Sequence, residues 1–62
     1  MNQLIVAMPT ILIMKTSEGF YPIQASGTKP IAEEAYDHGI LNTHITSIED
    51  IEGNTLWRRY EL

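Results

Sequence analysis

Two histidines, His38 and His44, are the residues of this chain whose type most directly suggests chemistry. With Asp37 or Glu34 they make a set of imidazole and carboxylate donors of the kind that suits zinc or nickel. The spacing does not favour a shared ion, because the two rings fall across a helix end and a loop and need not converge. His38 reads as a side chain near a helix C-terminus, where it interacts with the negative end of the helix dipole. His44 reads as a strand residue at the surface of a sheet, and neither histidine is expected to be a metal ligand. Ser17, Ser26 and Ser47 coexist with these histidines and with 8 carboxylates, but a catalytic triad is defined by geometry, and composition alone cannot supply one. Gly19, Gly27, Gly39 and Gly53 are dispersed singly, and the sequence holds neither a phosphate-binding glycine loop nor a nucleophile elbow. The expectation is a protein that is not an enzyme and carries no cofactor.

Arg58 and Arg59 beside Trp57 and Tyr60 raise nucleic-acid binding, in which cations and aromatic rings work together on phosphate and base. Against this stands a net charge of −4 and a pI near 4.8, so whole-molecule electrostatics repel a polyanion. The simpler reading is a terminal strand with one face packed through Trp57 and the arginines solvated or paired with carboxylates. The acids are distributed more tellingly. Glu33, Glu34, Asp37, Glu49, Asp50 and Glu52 all lie between Pro30 and Trp57, with no Lys or Arg among them. A folded chain of this length is roughly 27 Å across, a span over which duplex DNA carries about sixteen charges. Six to eight carboxylates are a sparse imitation of that row, yet enough to attract a basic groove through long-range steering. These six residues are therefore the candidate partner-binding set.

The elements that would position them are bounded by size. A chain of 62 residues buries only roughly 60% of the surface it exposes when unfolded, which allows one thin core and one domain, residues 1–62. With no cysteine, neither a disulfide framework nor a thiolate zinc site can staple it, so packing or a partner must. The cytoplasm is the simplest compartment. The apolar run from Leu4 to Met14 is too short to span a bilayer and contains Pro9; it reads as an irregular lead-in followed by a strand from Thr10 to Thr16. Ser17-Glu-Gly19 turns the chain into a second strand, Phe20 to Ala25, which Pro22 demotes to a sheet edge. Thr28 offers an N-cap for a helix from about Lys29 to His38, with Gly39 as the C′ residue that ends it. At 100° per residue, Ile31, Ala32, Ala35 and Tyr36 share the apolar arc, and Glu33, Glu34 and Asp37 the acidic one. Thr43 to Ile48 and Leu56 to Tyr60 form a second hairpin across Glu52-Gly-Asn54, with a bulge or a short third strand suggested by Ile45, Ile48 and Ile51 recurring at three. The resulting class is α+β: a small antiparallel sheet in the order strand-strand-helix-strand-strand, with one helix packed on one face.

The acidic helix Ile31-Ala-Glu-Glu-Ala-Tyr-Asp37 and the acidic hairpin Ser47-Ile-Glu-Asp-Ile-Glu-Gly53, set in a compact cysteine-free chain, give a protein that resembles the small phage-encoded inhibitors. The resemblance is first to anti-CRISPR proteins and next to phage inhibitors of host RNA polymerase. It is one of class and covers the whole chain without a diagnostic motif, because these inhibitors share none. It implies a protein that binds a nucleic-acid-handling complex of the host bacterium and blocks it without chemistry. For an acidic member it implies a DNA-mimicking surface that competes for a lysine- or arginine-lined groove on a host protein or nucleoprotein complex. The chain would then contact neither nucleic acid nor membrane, and a monomer is expected ahead of a homodimer. The alternative is a structural or assembly module, antitoxin-like or subunit-binding, that pairs through a sheet edge or an aromatic patch around Trp57 and Tyr60.

Overall fold

A computed structural model describes residues 10–60 of the chain; the lead-in expected over residues 4–9 lies outside them. Strand β1 (Ile11–Thr16) turns through Ser17 and Glu18 into β2 (Gly19–Gln24), in a register that runs from Thr16↔Gly19 to Ile11↔Gln24. The turn closes because Gly19 takes a φ of 143°, a backbone conformation that a Cβ disfavours. The Thr16 hydroxyl secures it, donating to the Gly19 carbonyl at 3.2 Å and accepting from the Glu18 N–H at 3.1 Å. Two further strands, β3 (Ile45–Glu49) and β4 (Thr55–Arg58), complete a four-stranded antiparallel sheet in the order β2-β1-β3-β4. Pro22 accordingly lies on an edge strand, where its missing N–H costs no ladder bond. Both β2 and β3 oppose β1 and so run parallel to each other, and parallel strands cannot be joined by a tight turn. The chain therefore leaves the sheet after β2 and returns through one helix, α1 (Ile31–Leu41), packed over β3 and β4.

The core lies between α1 and one face of the sheet. Leu12 and Met14 of β1, Ile45 and Ile48 of β3 and Ala35 of α1 are buried, and Ile23, Ile31, Leu56 and Trp57 pack around them. The two-residue period of β1 sends Leu12 and Met14 inward and leaves Ile11, Ile13 and Lys15 on the other face. β1 is central and apolar on both faces, as its sequence leads one to expect, but α1 covers only one of them. The expected bulge is present: the β3–β4 register shifts between Ile48 and Glu49, and the β1–β3 register between Lys15 and Thr16. Ile51 adds no strand and stands exposed in the turn that follows β3.

Both ends of α1 differ from expectation. Thr28 is not the N-cap. Its hydroxyl lies 2.9 Å from that of Ser26, and the helix starts after Pro30, whose carbonyl accepts from the Glu33 and Glu34 N–H groups at 3.0 Å each. The cause is local: a residue that precedes proline is disfavoured in the α region, so Lys29 cannot begin the helix. At the other end Gly39 does not stop the helix, which runs on to Leu41 and is capped by Asn42. The Asn42 N–H and side-chain amide both donate to the His38 carbonyl, at 3.0 and 2.9 Å. Gly39 serves packing instead. A Cβ built there would lie 2.6 Å from carbons of the Trp57 ring, so the indole of β4 lies directly on the helix backbone.

The apolar arc is also rotated from its expected position. Ala32 and Tyr36 face solvent, while Glu34, Ala35 and Gly39 are turned in. Replacing Gly39 by Ala should destabilise the fold, because overpacking of about 1–3 kcal/mol exceeds the gain of about 1 kcal/mol that Ala brings to a helix interior. Urea unfolding should show a lowered midpoint for Gly39→Ala, and in a Trp57→Leu background, with the ring removed, the same substitution should become neutral or stabilising.

Candidate binding surface

The six carboxylates of the candidate set fall into different environments. Glu34 is buried, with 6% of its surface exposed. The Ser26 N–H donates to both its oxygens, at 3.0 and 2.8 Å, the Ser26 hydroxyl donates to Oε1 at 2.7 Å, and His38 Nε2 stands 3.5 Å from Oε2. Ser26 lies between β2 and α1, so Glu34 ties the crossover to the helix. The hydroxyl bond from Ser26, followed by its backbone N–H, holds the Glu34 carboxyl below the ordinary carboxylate range. The expectation that Glu34 joins an outward acidic face is thus corrected: a charged side chain turns inward here because three donor contacts satisfy it.

Asp50 is engaged by its own turn. Its Oδ1 accepts from the Glu52 and Asn54 N–H groups at 2.9 and 2.8 Å, and Oδ2 accepts from the Asn54 side chain at 2.9 Å. Gly53 completes the turn at a φ of 90°. The Asn54 side chain, then its backbone N–H, lowers the Asp50 pKa. Glu49 shares the β1 register with Ile13 and pairs with Lys15 at 3.3 Å. Asp37 pairs with Lys29 at 2.6 Å, a contact that raises the Lys29 pKa through its hydrogen bond and its charge. Glu33 and Glu52 are exposed, and among the described residues neither takes part in a salt bridge.

The acids do not form one continuous surface. Glu33 and Asp37 ride on the outer arc of α1, whereas Glu49 lies on the opposite face of the sheet with Ile13. The four-stranded sheet separates the two groups. What the outer arc of α1 does present is an apolar stripe, of which the sequence reading assigned Ala32 and Tyr36 to the core. Ala32, Tyr36 and Ile40 recur every four residues and so stand one above another, with Tyr36 and Ile40 about half exposed. Glu33 and Asp37 flank this stripe at the same spacing.

The remaining candidates take separate places. His38 faces Glu34, while His44 Nε2 lies 2.9 Å from the Tyr21 hydroxyl, with the two rings stacked at 6.2 Å between centroids. Nothing in the sequence signals this contact, which joins β2 to the turn before β3; His44, expected on a strand, lies in that turn, one residue before the strand begins. Beside it is an open hollow lined by Thr16, Ser17, Glu18, Thr43, His44 and Thr46. Among the described residues no group of three or more His, Cys, Asp or Glu side chains converges on a point where a metal could sit, and no helix is long and apolar enough to cross a membrane.

Arg59 is neither solvated nor carboxylate-paired as expected. Its Nη2 donates to the Gly39 and Asn42 carbonyls at 2.6 and 3.2 Å, its Nε donates to the Ile45 carbonyl at 3.0 Å, and its guanidinium lies 4.8 Å from the centre of the Trp57 ring. Trp57 and Arg59 are thereby committed to the fold, and Arg58 alone of the pair is exposed. Comparison with known proteins finds no matching family model, curated protein or solved structure.

The buried Glu34 makes stability depend on acid. Its folded pKa lies below the ordinary 4.5, so its contribution is complete above that value and is lost as pH falls through the lowered one. Asp50 acts in the same direction from its ordinary 3.8. Glu34→Gln should be less stable than the parent at neutral pH and should lose less on acidification. Urea midpoints taken from pH 7 to pH 3 should therefore converge; parallel curves would contradict the role given to Glu34.

Proposed function

We propose that this chain acts by binding, without chemistry of its own, as an inhibitor that occupies a basic groove of a nucleic-acid-handling complex in the cytoplasm of a host bacterium. This is the role of the anti-CRISPR proteins it resembles. The observation that supports the reading is the outer arc of α1, where Glu33 and Asp37 flank Tyr36 and Ile40 on a surface that stands exposed among the described residues. The two carboxylates are about 6 Å apart along the helix axis, comparable to two phosphate steps along one strand of duplex DNA, and meet lysine or arginine in the groove. The apolar pair supplies the desolvated centre that most protein interfaces require. Contact of this kind is a reduced form of DNA mimicry: two carboxylates steer and orient, and an aromatic residue anchors. The other acids contribute to net charge, and hence to the rate of encounter with a basic partner.

The test is expression of the chain in bacteria whose DNA-targeting CRISPR immunity restricts a phage, scored by plating efficiency, with a mobility-shift assay of the purified effector complex on target DNA. The parent should restore plating and displace the DNA. The double reversal of Glu33 and Asp37 to Lys sets like charges against the groove and should weaken inhibition at least tenfold, by an effect of several kcal/mol. It should keep its circular dichroism spectrum, because the exposed Lys29–Asp37 pair is worth only about 0–1 kcal/mol. Inhibition by the parent should weaken between low and physiological salt. Undiminished inhibition by the folded double variant would contradict the proposal and favour pairing through a sheet edge.

A further inference from the structure

The sheet face opposite α1 has no cover among the described residues. It carries Ile11, Ile13 and Lys15 from β1, Phe20 and Pro22 from β2, and Glu49 from β3. Phe20 is 69% exposed and Ile51, in the turn beside this face, 72%. Between them runs an open groove of about 210 Å³ lined by Ile13, Lys15, Phe20, Glu49, Asp50, Ile51 and Gly53. The core on the other side is thin, with only five apolar residues buried among those described, and chains this small commonly gain a second layer of burial by association.

We propose that this face is a self-association surface, on which two copies of the chain pack sheet to sheet about a two-fold axis and the Phe20 ring of each enters the groove of the other. Size and charge both select a second copy as the occupant. A benzene ring fits a cavity of about 150 Å³, so this open groove has the volume for one phenyl group, and the same face offers one. On this face Lys15 and Glu49 neutralise each other at 3.3 Å, and Arg58, level with Ser47 and Lys15 in the register, offsets Asp50 at the groove. The outer arc of α1, in contrast, carries Glu33 and Asp37 with only Lys29 beside them. Two chains of net charge −4 therefore approach at least cost through their outer sheet faces. A two-fold axis makes every contact reciprocal, so that Lys15 of each copy comes toward Glu49 of the other, and aligned sheets can close to about 10 Å. The association leaves both α1 arcs outward. It departs from the monomer expected from the sequence, where nothing shows that Phe20, Ile13 and Ile51 gather on one uncovered face.

Sedimentation equilibrium on the full chain, with its mass of 7.0 kDa, should give twice that mass at high concentration and a reversible shift to the monomer on dilution. Phe20→Ser and Ile51→Ser should each weaken the dimer at least about tenfold while keeping the amide NMR spectrum of a folded chain, because both side chains are exposed. In a mixture of isotope-labelled and unlabelled chains, filtered nuclear Overhauser spectra should connect the Phe20 ring of one copy to the Ile13 and Ile51 methyls of the other. A monomer at millimolar concentration, or a dimer that survives both substitutions, would overturn the proposal. So would Phe20 contacts that arise only within one chain, from the apolar residues Leu4 to Met8.

Discussion

The Trp57 indole rests on the backbone of Gly39, and the position of every other layer follows from that contact. A helix approaches a sheet this closely only where one residue has no side chain, and Gly39 leaves no space for even a methyl group. Arg59 then closes the joint from above. Its guanidinium lies over the indole and donates to the Gly39, Asn42 and Ile45 carbonyls. Two of these carbonyls belong to the end of α1 and the residue that caps it, where backbone acceptors lack partners and the helix dipole favours a cation. One side chain from just beyond β4 thus neutralises the end of the helix and fixes the start of β3. In a core with five buried apolar residues among those described, this polar clamp on an aromatic contact is what joins the helix to the sheet.

The rotation of α1 about its axis follows from the same contact. With Gly39 held against Trp57, Ala35 one turn earlier also faces the sheet, and Glu34 next to it is turned in. A carboxylate in that place is tolerated because Ser26, at the end of the crossover from β2, supplies both its hydroxyl and its N–H. Turning Glu34 in necessarily turns Tyr36 and Ile40 out, beside Glu33 and Asp37. The mixed acidic and apolar arc offered to a partner is therefore a consequence of how the helix is seated.

The element order was legible because turn and strand chemistry is local. Pro22 marks an edge wherever it stands in a sheet, Gly19 and Gly53 sit where turns need them, and the Asp50-to-Asn54 turn is built from neighbours. Which arc of α1 faces the core was not legible, since apolarity favoured Ala32 and Tyr36, while the contacts that decide the matter come from Trp57 and Ser26, distant in sequence. Gly39 was misread for a related reason: glycine suits both a helix end and a close backbone approach, and only the partner ring separates the two. The acids looked uncompensated because Lys15, 34 residues from Glu49, and Lys29, eight from Asp37, lie outside the acidic stretch in sequence yet meet it in space.

The seating of α1 on Trp57 has a direct spectroscopic signature. A proton held over an aromatic face is shielded by the ring current, so the Gly39 Hα that takes the place of a side chain and points at the indole should lie well upfield of ordinary glycine positions in the proton NMR spectrum of the folded chain, and the Arg59 Hε should exchange slowly with solvent. Gly39 Hα signals at ordinary positions, with a rapidly exchanging Arg59 Hε, would contradict the joint on which the helix orientation and the exposed arc both depend.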